Sequence, residues 1–72
     1  MNKQKLVGIM YENGDTQTTL ANAIGISVQR LNAKINGTGG AEFNQGEIQR
    51  IKDRYKMDAE TVEEVFFTTY VS

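Results

Sequence analysis

The sequence predicts an all-α domain of five short helices, and three observations lead to that fold class. First, 72 residues are enough for one small core, so we expect residues 1–72 to form a single domain. Second, apolar residues recur at three- and four-residue spacing along the chain, as they do on the buried face of a helix. Third, residues that cap or end helices stand between these segments.

The first helix is predicted over residues 3–12. Three apolar residues at helical spacing would face the core: Leu6, Ile9 and Met10. Gly8 weakens the pattern, because a glycine inside a helix costs roughly 1 kcal/mol relative to alanine. The apolar run followed by Asn13-Gly14 also fits a strand and a hairpin turn, so both structures stay open for this segment.

The second and third helices form a unit over residues 16–37, which reads TQTTLANAIGISVQRLNAKING. Thr16 and Ser27 are suited to cap the two helix N-termini. Gly25 suits the left-handed residue that ends the first helix, and Asn36-Gly37 ends the second. Two short helices joined by such a turn predict a helix-turn-helix. Its buried residues would be Leu20, Ala21, Ile24, Leu31 and Ile35.

The outer face of the third helix, opposite Leu31 and Ile35, is small and polar rather than rich in Lys and Glu. Four residues on it are candidate contacts to DNA bases: Val28, Gln29, Asn32 and Ala33. Gln and Asn side chains can bond adenine in a bidentate way, and Val or Ala can contact the methyl group of thymine. This face is therefore predicted to enter the major groove of DNA.

The unit resembles the helix-turn-helix of the Cro/cI-type (XRE-like) phage repressor family, and short phage-encoded members in particular. The matching residues are Thr16-Gln17, Leu20-Ala21, Gly25-Ile26-Ser27, Leu31 and Asn36-Gly37. From Leu6 to Phe67 the likeness is weaker and consists of helix lengths and order. The resemblance implies a lambda-repressor-like five-helix fold, a phosphate contact at Gln17, and base-edge contacts around Val28, Gln29 and Asn32.

The chain departs from the family pattern at two places. Many members have an apolar residue three positions after the equivalent of Leu31, where this chain has Lys34 and places Ile35 next. Many members also carry Gln, Ser or Arg where this chain has Val28 and Ala33.

Phosphate contacts are predicted at both ends of the unit's helices. Free N–H groups and the helix dipole attract an anion to the first turn of a helix, where Gln17 lies. The full predicted set is Thr16, Gln17, Ser27, Arg30, Asn36 and Thr38.

Residues 37–44 are predicted to form a loop that Phe43 anchors to the core. Its Gly37-Thr38-Gly39-Gly40 segment either brings backbone N–H groups to a phosphate or serves as a flexible connector. A fourth helix is predicted over residues 44–55, where Asn44 and Glu47 can form a capping box. Its apolar face would hold Ile48, Ile51 and Tyr55. Its basic residues are expected on a solvated surface: Arg50, Lys52, Arg54 and Lys56.

The fifth helix is predicted over residues 58–66, with Asp58 as its N-cap and Val62, Val65 and Phe66 on its apolar face. Residues 66–72 are rich in aromatic and β-branched side chains, which favour a short β-strand or an extended arm. This tail either pairs with a second copy through Phe67, Tyr70 and Val71 or folds back onto its own core. We expect a homodimer, because a single recognition helix covers too few base pairs to select a site.

Composition excludes several function classes. The chain has no cysteine and no histidine, so we expect no metal site, no cofactor and no enzymatic activity. It has no apolar run of membrane-spanning length and no secretory signal pattern, so we expect a cytoplasmic protein without a membrane partner. The net charge is −1, but residues 57–72 hold four acidic residues and no basic one.

Two functional hypotheses follow from the sequence. The first is a regulator of transcription that binds a specific double-stranded DNA operator and takes no small-molecule substrate. The alternative is a protein-interaction module that keeps the helix-turn-helix shape and binds a protein, such as an antirepressor. The amides at positions 17, 29, 32 and 36 favour the first, whereas the low net charge and the apolar Val28 and Ala33 favour the alternative.

Overall fold

Helices account for most of the chain in a computed structural model of the protein, which describes residues 1–67. Five α-helices occupy Lys3–Glu12 (α1), Gln17–Ile24 (α2), Val28–Asn36 (α3), Gln45–Tyr55 (α4) and Ala59–Val62 (α5). A 3₁₀ turn at Thr38–Gly40 precedes α4, and a π-helical turn at Glu63–Phe67 continues α5. The predicted all-α class is confirmed for this part of the chain, and the helical alternative is the correct one for α1.

Every helix begins at a side chain that accepts a hydrogen bond from a backbone N–H one turn ahead. The five capping residues are Asn2, Thr16, Ser27, Asn44 and Asp58. The four caps predicted from the sequence are therefore confirmed, and each such cap is worth about 1 kcal/mol. In α2 the cap is reciprocal, because the Thr16 N–H also donates to the Thr19 hydroxyl at 2.9 Å.

Left-handed residues end α2 and α3, as the sequence predicts. Gly25 has a φ of 78° and Gly37 a φ of 66°, and the N–H of each closes the last turn of its helix. A residue with a Cβ is strained in this conformation, which explains why glycine stands at both positions. The three residues Gly25, Ile26 and Ser27 thus separate α2 from α3.

The core is built from all parts of the described chain. Its buried apolar side chains are Leu6, Met10, Leu20, Ala21, Ile24, Leu31, Ile35, Ile51, Met57 and Val65. Ile9, Ile26, Phe43, Tyr55, Val62 and Phe66 pack around them. Met57 was not predicted, because it lies between two helices and belongs to no helical pattern. Within residues 1–67, no helix is long and apolar enough to cross a membrane.

The C-terminal segment differs from the prediction. The fifth α-helix ends at Val62, and Phe66 and Phe67 lie in the π-helical turn instead of a strand or an extended arm. Phe66 meets Phe43 edge-on, with ring centroids 5.6 Å apart, and the Val65 carbonyl accepts a hydrogen bond from the Asn2 N–H at 2.7 Å. These contacts explain the helical turn, because they bury aromatic and β-branched residues that would otherwise favour a strand. The rest of the predicted arm, with Tyr70 and Val71, lies outside the described residues.

Asp15 joins the turn after α1 to the end of α4. Its carboxylate accepts two hydrogen bonds from the Arg54 guanidinium, at 2.8 and 2.7 Å, and one from the Tyr55 hydroxyl at 2.6 Å. The Thr19 hydroxyl donates a further bond from α2 at 2.9 Å. Arg54 and Tyr55 therefore hold the pKa of the Asp15 carboxyl well below its usual range. Burial and the neighbouring carboxylate raise the pKa of the Tyr55 hydroxyl.

Asp15→Asn should lower the free energy of unfolding by about 2 kcal/mol at pH 7, because an uncharged amide cannot match these charge-assisted bonds. The carboxylate has a lower pKa in the folded state, so its contribution is complete above the ordinary Asp value of 3.8 and is lost as the pH falls below it. Urea denaturation at pH 7 and at pH 3 should therefore show a smaller difference between wild type and variant at pH 3.

The matched control is Asp53→Asn, at an exposed carboxylate that accepts a hydrogen bond from Gln49. It should change the free energy of unfolding by less than about 0.5 kcal/mol. An Asp15→Asn variant as stable as this control would show that Asp15 does not link α2 to α4.

Candidate nucleic-acid interface

The outer face of α3 is open to solvent. Leu31 and Ile35 are buried on the inner side of the helix, whereas Gln29 and Asn32 are exposed and Val28 keeps 39% of its surface accessible. Ala33 is partly buried at the edge of the face. Three of the four predicted base contacts are therefore exposed to solvent, and the fourth is exposed in part.

A run of hydrogen-bonded side chains crosses this face, and we call it the amide run: Gln17, Asn32, Asn36 and Lys3. The Asn32 amide N–H donates to the Gln17 Oε1 at 3.2 Å, which joins the start of α2 to the middle of α3. Asn36 donates to the Asn32 Oδ1 at 3.2 Å and to the Asn32 carbonyl at 2.9 Å. Lys3 Nζ donates to the Asn36 Oδ1 at 2.5 Å.

The amide run orients the side-chain amide of Gln17, which is half-buried. Because Gln17 accepts through its oxygen, the two hydrogens of its NH₂ group remain to donate to an acceptor such as a phosphate oxygen. Lys3 adds a positive charge at the other end of the run. Sequence reasoning missed Lys3, since it lies 33 residues from Asn36 and no local pattern joins the two.

The other predicted phosphate contacts also lie on the surface. Thr16 and Ser27 use their side-chain oxygens to accept the capping hydrogen bonds, so their hydroxyl hydrogens can still be donated. The side chains of Arg30, Asn36 and Thr38 are exposed as well. Gly37 to Gly40 form a tight turn, in which the Gly40 N–H donates to the Gly37 carbonyl at 3.2 Å.

A buried ion pair positions α3 against α4. Lys34 Nζ donates to both carboxylate oxygens of Glu47, at 2.5 and 2.6 Å, and the two side chains are only 10% and 6% exposed. Glu47 also completes the capping box of α4, because its side chain accepts from the Asn44 N–H at 2.9 Å. Burial acts to raise the pKa of the Glu47 carboxyl, but the Lys34 and Asn44 hydrogen bonds outweigh it and the pKa lies below its usual range.

Several basic residues serve the fold. Within the described chain, Lys5 pairs with Glu64, Lys34 with Glu47, and Arg54 with Asp15. Arg50 donates to the Ile24 carbonyl at 2.8 Å and so caps the C-terminus of α2. Arg50 and Arg54 are exposed to solvent, as expected, but each also donates hydrogen bonds to another segment of the chain, Arg50 to Ile24 and Arg54 to Asp15.

Comparisons with protein-family models, curated proteins and solved structures return no match to this chain. Among the residues described, no group of three or more acidic, cysteine or histidine side chains is placed to hold a metal ion.

Lys34→Met should lower the free energy of unfolding by about 3 kcal/mol, because it leaves the Glu47 carboxylate buried without its counter-charge. The double variant Lys34→Met/Glu47→Gln should recover part of this loss, since glutamine can keep the capping bond without a charge. Urea denaturation of both variants measures the effect.

Lys52→Met, on the surface of α4, is the matched control and should change stability by less than about 0.5 kcal/mol. Equal stability of Lys34→Met and this control would contradict the role of the ion pair.

Proposed function

We propose that the protein is a sequence-specific regulator of transcription that binds double-stranded DNA in the cytoplasm as a homodimer. In this proposal α2 and α3 form a helix-turn-helix, and α3 lies in the major groove. The main support for this proposal is the amide run. Its Asn32–Gln17 hydrogen bond of 3.2 Å joins the side chain proposed to contact a base, Asn32, to the side chain proposed to contact a phosphate, Gln17.

Base reading would come from the middle of α3. Gln29 is exposed and offers both a donor and an acceptor, the pattern that recognises adenine. Asn32 offers the same chemistry after exchanging its bond to Gln17 or Asn36 for a bond to a base. Val28 and Ala33 would contact thymine methyl groups, because these groups bind apolar side chains and not charged ones.

Phosphate contacts would set the register of α3 in the groove. The Gln17 NH₂ group lies in the first turn of α2, where the helix dipole and free N–H groups also favour an anion. Lys3 and Arg30 would supply positive charge beside the groove. The acidic residues after Met57 would face away from the DNA, which is consistent with a net charge of only −1.

The second candidate function is protein binding through the same face. The exposed Val28 and the few charges around it favour this alternative. Selection from a pool of random duplexes at low salt separates the two. Enrichment of one sequence supports DNA reading, and a pool that stays random contradicts it.

A dimer belongs to the proposal because a single α3 covers too few base pairs to select one site in a genome. The sequence suggests the tail as the contact. Phe67 is 62% exposed and can take part in such a contact, while Tyr70 and Val71 lie outside the described residues.

Gln29→Ala should weaken binding to the selected duplex by ~1–3 kcal/mol and relax the preference at one base pair, because it removes a bidentate base contact. Fluorescence anisotropy with the selected duplex and its single-base variants measures both effects. Gln49→Ala on α4 is the matched control and should bind like wild type. An unchanged base preference in Gln29→Ala would remove Gln29 from the reading face.

Gln17→Ala should weaken selected and random duplexes by a similar factor, about five-fold, because phosphate contacts carry no sequence information directly. The control is Thr18→Ala, one position further along α2. The same anisotropy assay with both kinds of duplex decides the point. A loss confined to the selected duplex would assign Gln17 to base reading.

A further inference from the structure

The outward face of α1 is apolar and uncovered in the described chain. Leu6 and Met10 are buried on one side of this helix, while on the other Val7 is 41% and Tyr11 84% exposed. Together with Lys3, Gln4 and Gly8 they line a shallow groove of about 410 Å³. A helix whose apolar side chains lie on both sides has a second surface to bury.

Within residues 1–67, no contact or backbone angle requires a glycine at position 8. It lies in the middle of α1, where glycine costs roughly 1 kcal/mol relative to alanine. A Cβ built at this position would meet no atom within 4 Å, and the backbone here is helical, so neither crowding nor a positive φ calls for glycine. A surface glycine on a helix does allow the backbone of another helix to come close.

We propose that a second copy of this chain docks on this face, with the two α1 helices packed antiparallel. A two-fold axis between positions 7 and 8 sets Val7 of one copy over Gly8 of the other, and the reverse contact follows by symmetry. The same axis sets Gln4 opposite Tyr11, at both ends of the contact. In this register Val7 lies over a residue without a side chain, Gly8, and the Tyr11 ring lies beside Gln4.

Charge complementarity favours a second copy in this orientation. Lys3 lies at the start of α1 and Glu12 at its end, and the antiparallel register sets these two residues opposite each other, while Lys5 pairs with Glu64 of its own copy. An antiparallel pair brings the basic end of each helix beside the acidic end of the other, whereas a parallel pair would bring like charges together. The dipoles of two antiparallel helices point in opposite directions, and this arrangement also favours the antiparallel pair.

This interface shares Lys3 with the α3 face but uses none of Gln17, Gln29 and Asn32, so it can be tested in the absence of DNA. It also differs from the tail contact suggested by the sequence, which lies at Phe67 and beyond. The two interfaces are therefore distinguished by variants in α1 and by removal of the residues after Phe67.

The experiment is analytical ultracentrifugation of the full chain, wild type and Gly8→Gln, across a concentration series. Glutamine is a better helix former than glycine but fills the space over which the second helix must approach. Gly8→Gln should weaken self-association at least ten-fold and raise the thermal stability of the monomer, measured at a concentration where both proteins are monomeric. A mutation that merely damaged the fold would lower both the self-association and the thermal stability of the monomer.

Gly46→Gln in α4 is the matched control and should associate like wild type. Tyr11→Gln should weaken association independently, and the protein truncated after Phe67 should keep the part of self-association that Gly8→Gln removes. The proposal is overturned if wild type stays monomeric up to ~1 mM, the limit of weak association. It is also overturned if Gly8→Gln and Tyr11→Gln associate as wild type does, or if only the truncation abolishes association.

Discussion

One buried carboxylate, that of Glu47, joins the end of α3 to the start of α4. It accepts both hydrogen bonds from Lys34 near the end of α3 and closes the capping box that begins α4. Leu31 and Ile35 hold α3 in the core, and Phe43 of the intervening loop packs against Phe66. A buried charge that loses its partner is costly, so the ion pair strongly favours the observed placement of the end of α3 beside the start of α4.

Local features of the fold could be predicted from the sequence, and contacts between distant segments could not. Thr16, Gly25 and Ser27 act on residues within one turn, so their types alone indicate a cap or a helix end. The Asp15–Arg54 pair joins residues 39 positions apart, and no sequence pattern near either residue indicates this contact. The contact between Phe66 and Phe43 likewise joins distant segments, and in the described part of the tail it accompanies a π-helical turn where the residue types favour a strand.

The same distinction between local features and distant contacts applies to the candidate site. The open face of α3 follows from the spacing of Leu31 and Ile35, so Gln29 and Asn32 could be named in advance. The orientation of the Gln17 amide could not, because it is set by Asn32 on another helix. The environment of Lys34 could not be predicted from the sequence either. A lysine is accommodated at a position expected to be apolar because Glu47 supplies the counter-charge from α4.

If α3 lies in the major groove, then its side-chain amides must sense the DNA directly. The most direct measurement is nuclear magnetic resonance of the labelled protein titrated with a duplex enriched by selection. The largest chemical-shift changes should fall on the side-chain NH₂ groups of Gln17, Gln29 and Asn32, with small changes at Gln49 on α4. Changes centred on α4 or α5, with the α3 amides unmoved, would contradict the placement of α3 in the major groove.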